Sequence, residues 1–367
     1  MAFWWTLPLF ICMSCSSSND ELPDEKKVSI EVTQDNFVAD SEGGEKTIVI
    51  KSTHPWNIKS DNQEWYTLSA DRGYTGESAI KIKTQRNLDD KVRTGLLKFY
   101  VGNDCIKEFH FSQAKGVLVS YVPQGYSLVW NDEFNQEAAA GGKPSLPSSE
   151  WWYEKGDGGW GNHEIQNYVA GFQGTDTCAI VKNGSLKIIA KKVQDKVLSV
   201  RMNTNKSWKY GYFEARLKLP KGKGTWPAFW MMPVNFNAWP DDGEIDIMEE
   251  VGYRPGYVSS SIHCKSYYHS IGTQKTGEQY IADCSDDFHI YALEWTESYI
   301  KGFVDGKCHF TFNNDNKGDK NTWPFNTLFY LKLNLAWGGD WGGAQGVDET
   351  ALPATYEIDY VRVYQKK

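Results

Sequence analysis

The stretch Gly243–Glu250, GEIDIMEE, constrains this chain more than any other. Glu244, Asp246, Glu249 and Glu250 are set around the large apolar residues Ile245, Ile247 and Met248. A strand alternates faces with period two, so Glu244 and Asp246 share one face and Ile245 and Ile247 fill the other. On a regular strand the next position on the carboxylate face belongs to Met248. Glu250 has the right parity but lies roughly 20 Å from Glu244 at ~3.3 Å per residue. Glu249 has the wrong parity unless a β-bulge near Ile247 and Met248 absorbs one extra residue. With that bulge Glu244 and Glu249 lean together across Asp246, and Glu250 points the other way, toward a salt-bridge partner.

Carboxylates held side by side repel, which pushes at least one pKa upward. A solvated acidic strand gains nothing from this. Cleavage of a glycosidic bond does, because it uses one ionised carboxylate and one protonated carboxyl, ~5–5.5 Å apart in retaining enzymes.

The run Glu244–Glu249 resembles the active-site strand of glycoside hydrolase family sixteen, in the bulged form of its laminarinase-like members. Other segments resemble the same subfamily: GGWGNHEIQNY at Gly158–Tyr168, YGYFEARLKLP at Tyr210–Pro220, GTWPAFWMMP at Gly224–Pro233 and YEIDYVRVY at Tyr356–Tyr364. The likeness runs from about Tyr121 to the C-terminus. It implies a β-jelly-roll, retaining chemistry and a β-glucan substrate. By the same match Glu244 is the nucleophile, Glu249 the acid and then the base, and Asp246 the carboxylate that steadies the nucleophile.

The resemblance also implies a set of substrate-binding residues. His263, on the following strand and opposite in direction to Ile262 and Cys264, faces the cleft beside the catalytic strand. Trp226 and Trp239 are sugar platforms, with Trp230 turned into the core. Trp337 and Trp341 are further platform candidates. Asn162, Glu164 and Arg216 fit either hydroxyl binding or structure. Glu133, the carbonyl of Gly184 and Asp359 match a structural calcium site on the opposite face; Asp359 fits equally a turn or a pair with Arg362. No catalytic cofactor is implied.

The expected activity is endo-cleavage of mixed β-1,3/1,4-glucan, with some cleavage of laminarin. Three alternatives stay open: a laminarin-preferring endo-β-1,3-glucanase, a galactan hydrolase of the agarase or carrageenase type, and an inactive surface glycan-binding lipoprotein. Binding-only relatives usually lose the carboxylates, and here all three are present.

The 367 residues carry a net charge of −8. An acidic chain of this kind is a poor candidate for nucleic acid, whose affinity comes from clustered Lys and Arg. The 16 Trp and 20 Tyr are the compositional anomaly. Flat rings stack on sugars and also fill sandwich cores. After Lys115–Tyr126, the expected joint, strands recur to the end with Gly- and Trp-rich loops between them, the pattern of an all-β jelly roll over residues 117–367.

Val28 to Gly116 shows short alternating β-segments such as VSIEV, KTIVIKS and GLLKFYVG, which predict a small immunoglobulin-like sandwich over 28–116. Phe37–Glu45, Trp56, Trp65, Arg93–Gly95 and Gln113 resemble the BACON domain of Bacteroidetes glycan-degrading proteins. Trp56 and Trp65 are either glycan-binding or core residues of a spacer, and the spacer reading is preferred.

Residues 1–27 form an apolar leader followed by an acidic linker, too short for a membrane span. Cys15, followed by serines and acids, resembles a lipoprotein acylation site, although no Lys or Arg precedes the apolar run. The resemblance implies a monomer held at the outer face of the outer membrane by lipid on Cys15. The five cysteines beyond the leader pair Cys12 and Cys15, namely Cys105, Cys178, Cys264, Cys284 and Cys308, lack the spacing of a zinc site or disulfide framework, and free buried thiols are expected.

Overall fold

The computed structural model describes residues 27–34, 36–61, 65–87, 91–116, 120–135, 148–182 and 184–367. Cys15 and the rest of the leader lie outside the described residues. The chain divides into two units, Met1–Val119 and Ser120–Lys367. No described helix is long and apolar enough to cross a membrane.

In the first unit, period-two patterning yields a four-stranded and a five-stranded sheet. The strand Gly76–Thr84 buries Ile80 and Ile82, and Arg93–Val101 buries Leu97 and Phe99, while the residues between them stay more exposed. Trp56 and Trp65 are core residues, 3% and 8% exposed. Trp56 is packed so tightly that a Cβ on Gly73 would lie 2.3 Å from its ring. The core alternative therefore describes both tryptophans.

The second unit packs a ten-stranded sheet against a seven-stranded one. The seven are β1 (Trp151–Glu154), β2 (Arg201–Thr204), β3 (Thr225–Pro233), β4 (Glu244–Glu249), β5 (Tyr257–His263), β6 (Lys275–Tyr280) and β7 (Phe329–Trp337). Their order across the sheet is β1-β2-β7-β3-β4-β5-β6. One face of each strand enters the core between the sheets. Phe229 and Met231 of β3, Ile245 of β4, Ile262 of β5 and Leu331, Leu333 and Leu335 of β7 meet Phe213, Ala215, Leu217, Ile188 and Ile358 of the larger sheet. Most of these are fully buried. Truncating one such Leu or Ile to Ala costs about 2–5 kcal/mol.

The core-facing parity of β7 includes Trp337, which is 1% exposed. Trp337 is thus a core residue and not the sugar platform expected of it. The cysteines divide: Cys178, Cys264 and Cys284 are buried thiols, whereas Cys105 and Cys308 are exposed.

Candidate active site

The other face of the seven-stranded sheet carries the polar residues, and register aligns them. One row runs Trp152, Asn203, Lys332, Trp230, Asp246, Ser261, Thr276, each paired with the next across all seven strands. On β4 the pairs with β5 are Glu244 with His263, Asp246 with Ser261 and Glu249 with Ser259. Two residues of β4, Ile247 and Met248, separate Asp246 from Glu249, where one residue of β5, Ser260, separates their partners. The extra residue is a β-bulge at Ile247 and Met248, and both of those side chains join the core. The bulge restores the parity of Glu249. Glu244, Asp246 and Glu249 thereby share a face, as the sequence predicts.

Gly243, just before this strand, has φ +91, a backbone conformation open to glycine at little cost. A Cβ there would also come within 3.0 Å of Pro324 and Phe325. Glu250 does point inward, but no cation among the described residues meets it: Gly256 N–H donates to Oε1 at 3.3 Å and Oε2 accepts no hydrogen bond. The salt bridge expected of it is not formed among the described residues, because the residues around it, such as Val251, Ile247 and Met248, are core.

The three carboxylates are not electrically alike. Burial, with the charge of Asp246, raises the pKa of Glu244 to about 7 against the opposing pull of His263, Arg201 and Lys332. Burial raises Glu249 well above the usual carboxylate range, and the charges of Asp246 and Glu244 add to that. Against those Glu249 has an indole N–H from Trp226 at 2.9 Å and the more distant His263. Burial also raises Asp246, whose Oδ2 lies 3.3 Å from His263 Nε2. The cations therefore gather at the Glu244 end, and Glu249 keeps its proton to the higher pH. An ionised nucleophile and a protonated acid need that asymmetry.

Trp226 meets Trp341 edge to face at 5.3 Å. On the opposite side of the carboxylates, Trp239, 37% exposed, lies over His263 at 5.9 Å and against Tyr268 and His269. These three tryptophans and His263 surround the carboxylates as expected.

Trp230 corrects the sequence reading. It shares the parity of Trp226, so it lies on the carboxylate face, directly across from Asp246. Arg201 and Lys332 each stand 4.8 Å from its ring. Both cations are anchored by Glu154. Burial lowers the Lys332 pKa to about 7, with Arg201 adding to the shift. Sequence reasoning missed Trp230, Arg201, Lys332 and Asn334. The four-residue spacing of Trp226 and Trp230 was the available signal for the first.

Glu164 is buried and serves as a buttress. Gln166 and Tyr168 donate to it at 2.6 and 3.2 Å, Asn334 donates to the Tyr168 hydroxyl, and Trp230 donates to Asn334 at 2.7 Å. Asn162 stays at the surface of this loop, its amide 3.5 Å from Glu164, and its carbonyl accepts from Asp340 N–H. Arg216 is not in the cleft at all. It belongs to the ten-stranded sheet and pairs with Asp359 at 2.6 Å.

The expected calcium donors are neighbours through strand Ala354–Lys366, which pairs Val361 with Asp132 and Ile358 with Leu186. Their carboxylates, however, hold arginines. Glu133 takes Arg362 in a two-pronged pair at 2.8 Å, and Asp359 takes Arg216. These side chains do not form an oxygen cage, so calcium enters no step below.

The family model described as glycosyl hydrolases family 16 matches residues 166–362, and the BACON model, a putative N-terminal binding domain, matches residues 54–107. A beta-glucanase of Rhodothermus marinus is 42% identical over 259 residues, covering 65% of this chain and 85% of the relative. Glucan endo-1,3-beta-glucosidase A1 of Niallia circulans is 35% identical over 66% of this chain, which spans 38% of that longer protein. The solved structure of SCLam, a non-specific endo-beta-1,3(4)-glucanase, superposes with a TM-score of 0.60 at 42% identity, covering 67% of this chain and 93% of that one.

Proposed function

Since the chain belongs to glycosyl hydrolases family 16, we propose that it is a retaining endo-β-glucanase that prefers mixed β-1,3/1,4-glucan and also cuts laminarin. The observation that carries this is the bulged strand with three carboxylates on one face and cations at one end only.

In this reading Glu244 attacks the anomeric carbon while Glu249 gives its proton to the departing glycosidic oxygen. The bond from carbon to leaving oxygen breaks as the glycosyl ester on Glu244 forms. Glu249, now ionised, removes a proton from water, whose oxygen displaces Glu244. Asp246 and His263, 3.3 Å apart, hold the middle of the site, and Trp226, Trp230, Trp239 and Trp341 supply faces for sugar rings.

The relatives support the glucan class, and SCLam, named for both linkages, supports mixed-linkage cleavage. A comparison of kcat/KM on barley glucan, laminarin and agarose tests the reading, since specificity is a ratio of those values. Barley glucan is expected to lead. A clear preference for laminarin would overturn the linkage, and activity confined to agarose would overturn the glucanase.

A lipid anchor on Cys15, holding the enzyme at the outer face of the outer membrane, is part of the same proposal. It rests on the leader sequence alone. Labelling with a fatty-acid analogue, lost in Cys15→Ser, tests it.

A further inference from the structure

We propose that Glu244, Asp246 and His263 together bind one zinc ion, which blocks the enzyme reversibly by occupying the nucleophile. The ligand atoms of the three residues lie within 4.8 Å of one another, the one such group of three among the described residues. His263 Nε2 is 3.3 Å from Asp246 Oδ2 and 3.9 Å from Glu244 Oε1. A tetrahedral ion with ligands at ~2.0–2.1 Å has edges of about 3.4 Å. One edge is thus already at length. The other two close by rotation of Glu244, the least buried of the three.

A second observation points to a cation. Asp246 is 3% exposed, yet its Oδ2, aimed at this point, accepts no hydrogen bond. An acceptor buried with only an imidazole nitrogen 3.3 Å away, and no hydrogen bond formed to it, is costly, and a bound cation removes that cost. His263 is also well placed, since its register against Glu244 and its position beneath Trp239 fix the ring.

The donor set selects the metal. One imidazole nitrogen with two carboxylate oxygens suits zinc, with a water in the fourth position. Calcium and magnesium take six or more oxygen ligands, which three residues of this kind do not supply. Inhibition rests on the proposed role of Glu244 as nucleophile; binding does not.

The test uses the untagged full chain in a Cys12→Ser, Cys15→Ser, Cys105→Ser, Cys308→Ser background, which removes the leader thiols and the two exposed thiols that would bind zinc elsewhere. Zinc binding is measured by competition with a colorimetric chelator, and inhibition by initial rates on barley glucan. One zinc per chain is expected, displaced by glucan oligosaccharide, with no inhibition by magnesium. His263→Gln should weaken binding at least about 10-fold and make residual activity resistant by the same factor. Glu244→Gln should weaken binding too, although it is inactive. Unchanged zinc affinity in both variants, or unchanged inhibition of His263→Gln, would overturn the site. Zinc binding that follows these variants in a chain without glucanase activity would uphold the site and sink the function proposed above.

Discussion

Trp226 donates its indole N–H to Glu249 at 2.9 Å, so a sugar platform and the proposed acid form one unit. The bond favours the ionised carboxylate and opposes the burial that keeps Glu249 protonated. Trp226→Phe keeps a stacking ring and removes the donor. The alkaline limb of kcat/KM is expected to move up by about 1 in pH, from the worth of a hydrogen bond to a charged group. An unmoved limb would show that this bond does not govern the acid.

Glu244→Gln is expected to lose turnover by several orders of magnitude while keeping its melting temperature and its retardation in glucan-containing gels. The substitution preserves shape and removes the nucleophile. Near-normal hydrolysis would end the assignment.

The acid limb of the same profile reports Glu244, which works ionised. Burial, with the charge of Asp246, holds its pKa at about 7, so kcat/KM should fall as pH drops through that value. A plateau extending down to pH 5 would mean that the free enzyme ionises Glu244 far more readily.

Glu250 should behave oppositely from a mutational standpoint. Burial raises its pKa to about 8, against an ordinary value of 4.5. The folded chain keeps the proton while the unfolded chain loses it, so this residue's contribution is largest below pH 4.5 and declines as pH rises toward 8. Glu250→Gln has no such decline. It should melt above the parent at pH 8, by a stability gain on the order of 1–3 kcal/mol, with the gap narrowing toward pH 4.5. Equal pH slopes in both proteins would refute the buried, uncompensated acid.

Much of this was legible from period-two patterning. The parity of Glu244, Asp246 and Glu249 admits one solution, a bulge at Ile247–Met248, because Met248 is too apolar to face the cleft. His263 followed from Ile262 and Cys264 beside it. Parity failed where both faces of a strand are apolar or aromatic. In TWPAFWMMP nothing in composition says which face is core, so Trp230 was placed on the wrong one. FYLKLNLAW does alternate, Leu331, Leu333 and Leu335 against Lys332 and Asn334, and that parity puts Trp337 with the core where the resemblance had suggested a platform. Arg216 erred differently: its strand was recognised, but strand order across two sheets is set by long-range pairing. The hydrogen-bonded chain from Glu164 through Tyr168 and Asn334 to Trp230 joins residues up to 170 apart in sequence, beyond any local signal.

The strand carrying the carboxylates lies inside its sheet, with four strands on one side and two on the other. Amides at such a position exchange with solvent only when the whole domain opens. Trp239 and Trp341 sit on connections outside the strands and are free of that restriction. On warming, the grip on the polysaccharide is therefore lost through local fraying before the catalytic groups are disturbed. Heat damage in this enzyme should surface first as a rising KM and only later, together with global unfolding, as a falling kcat.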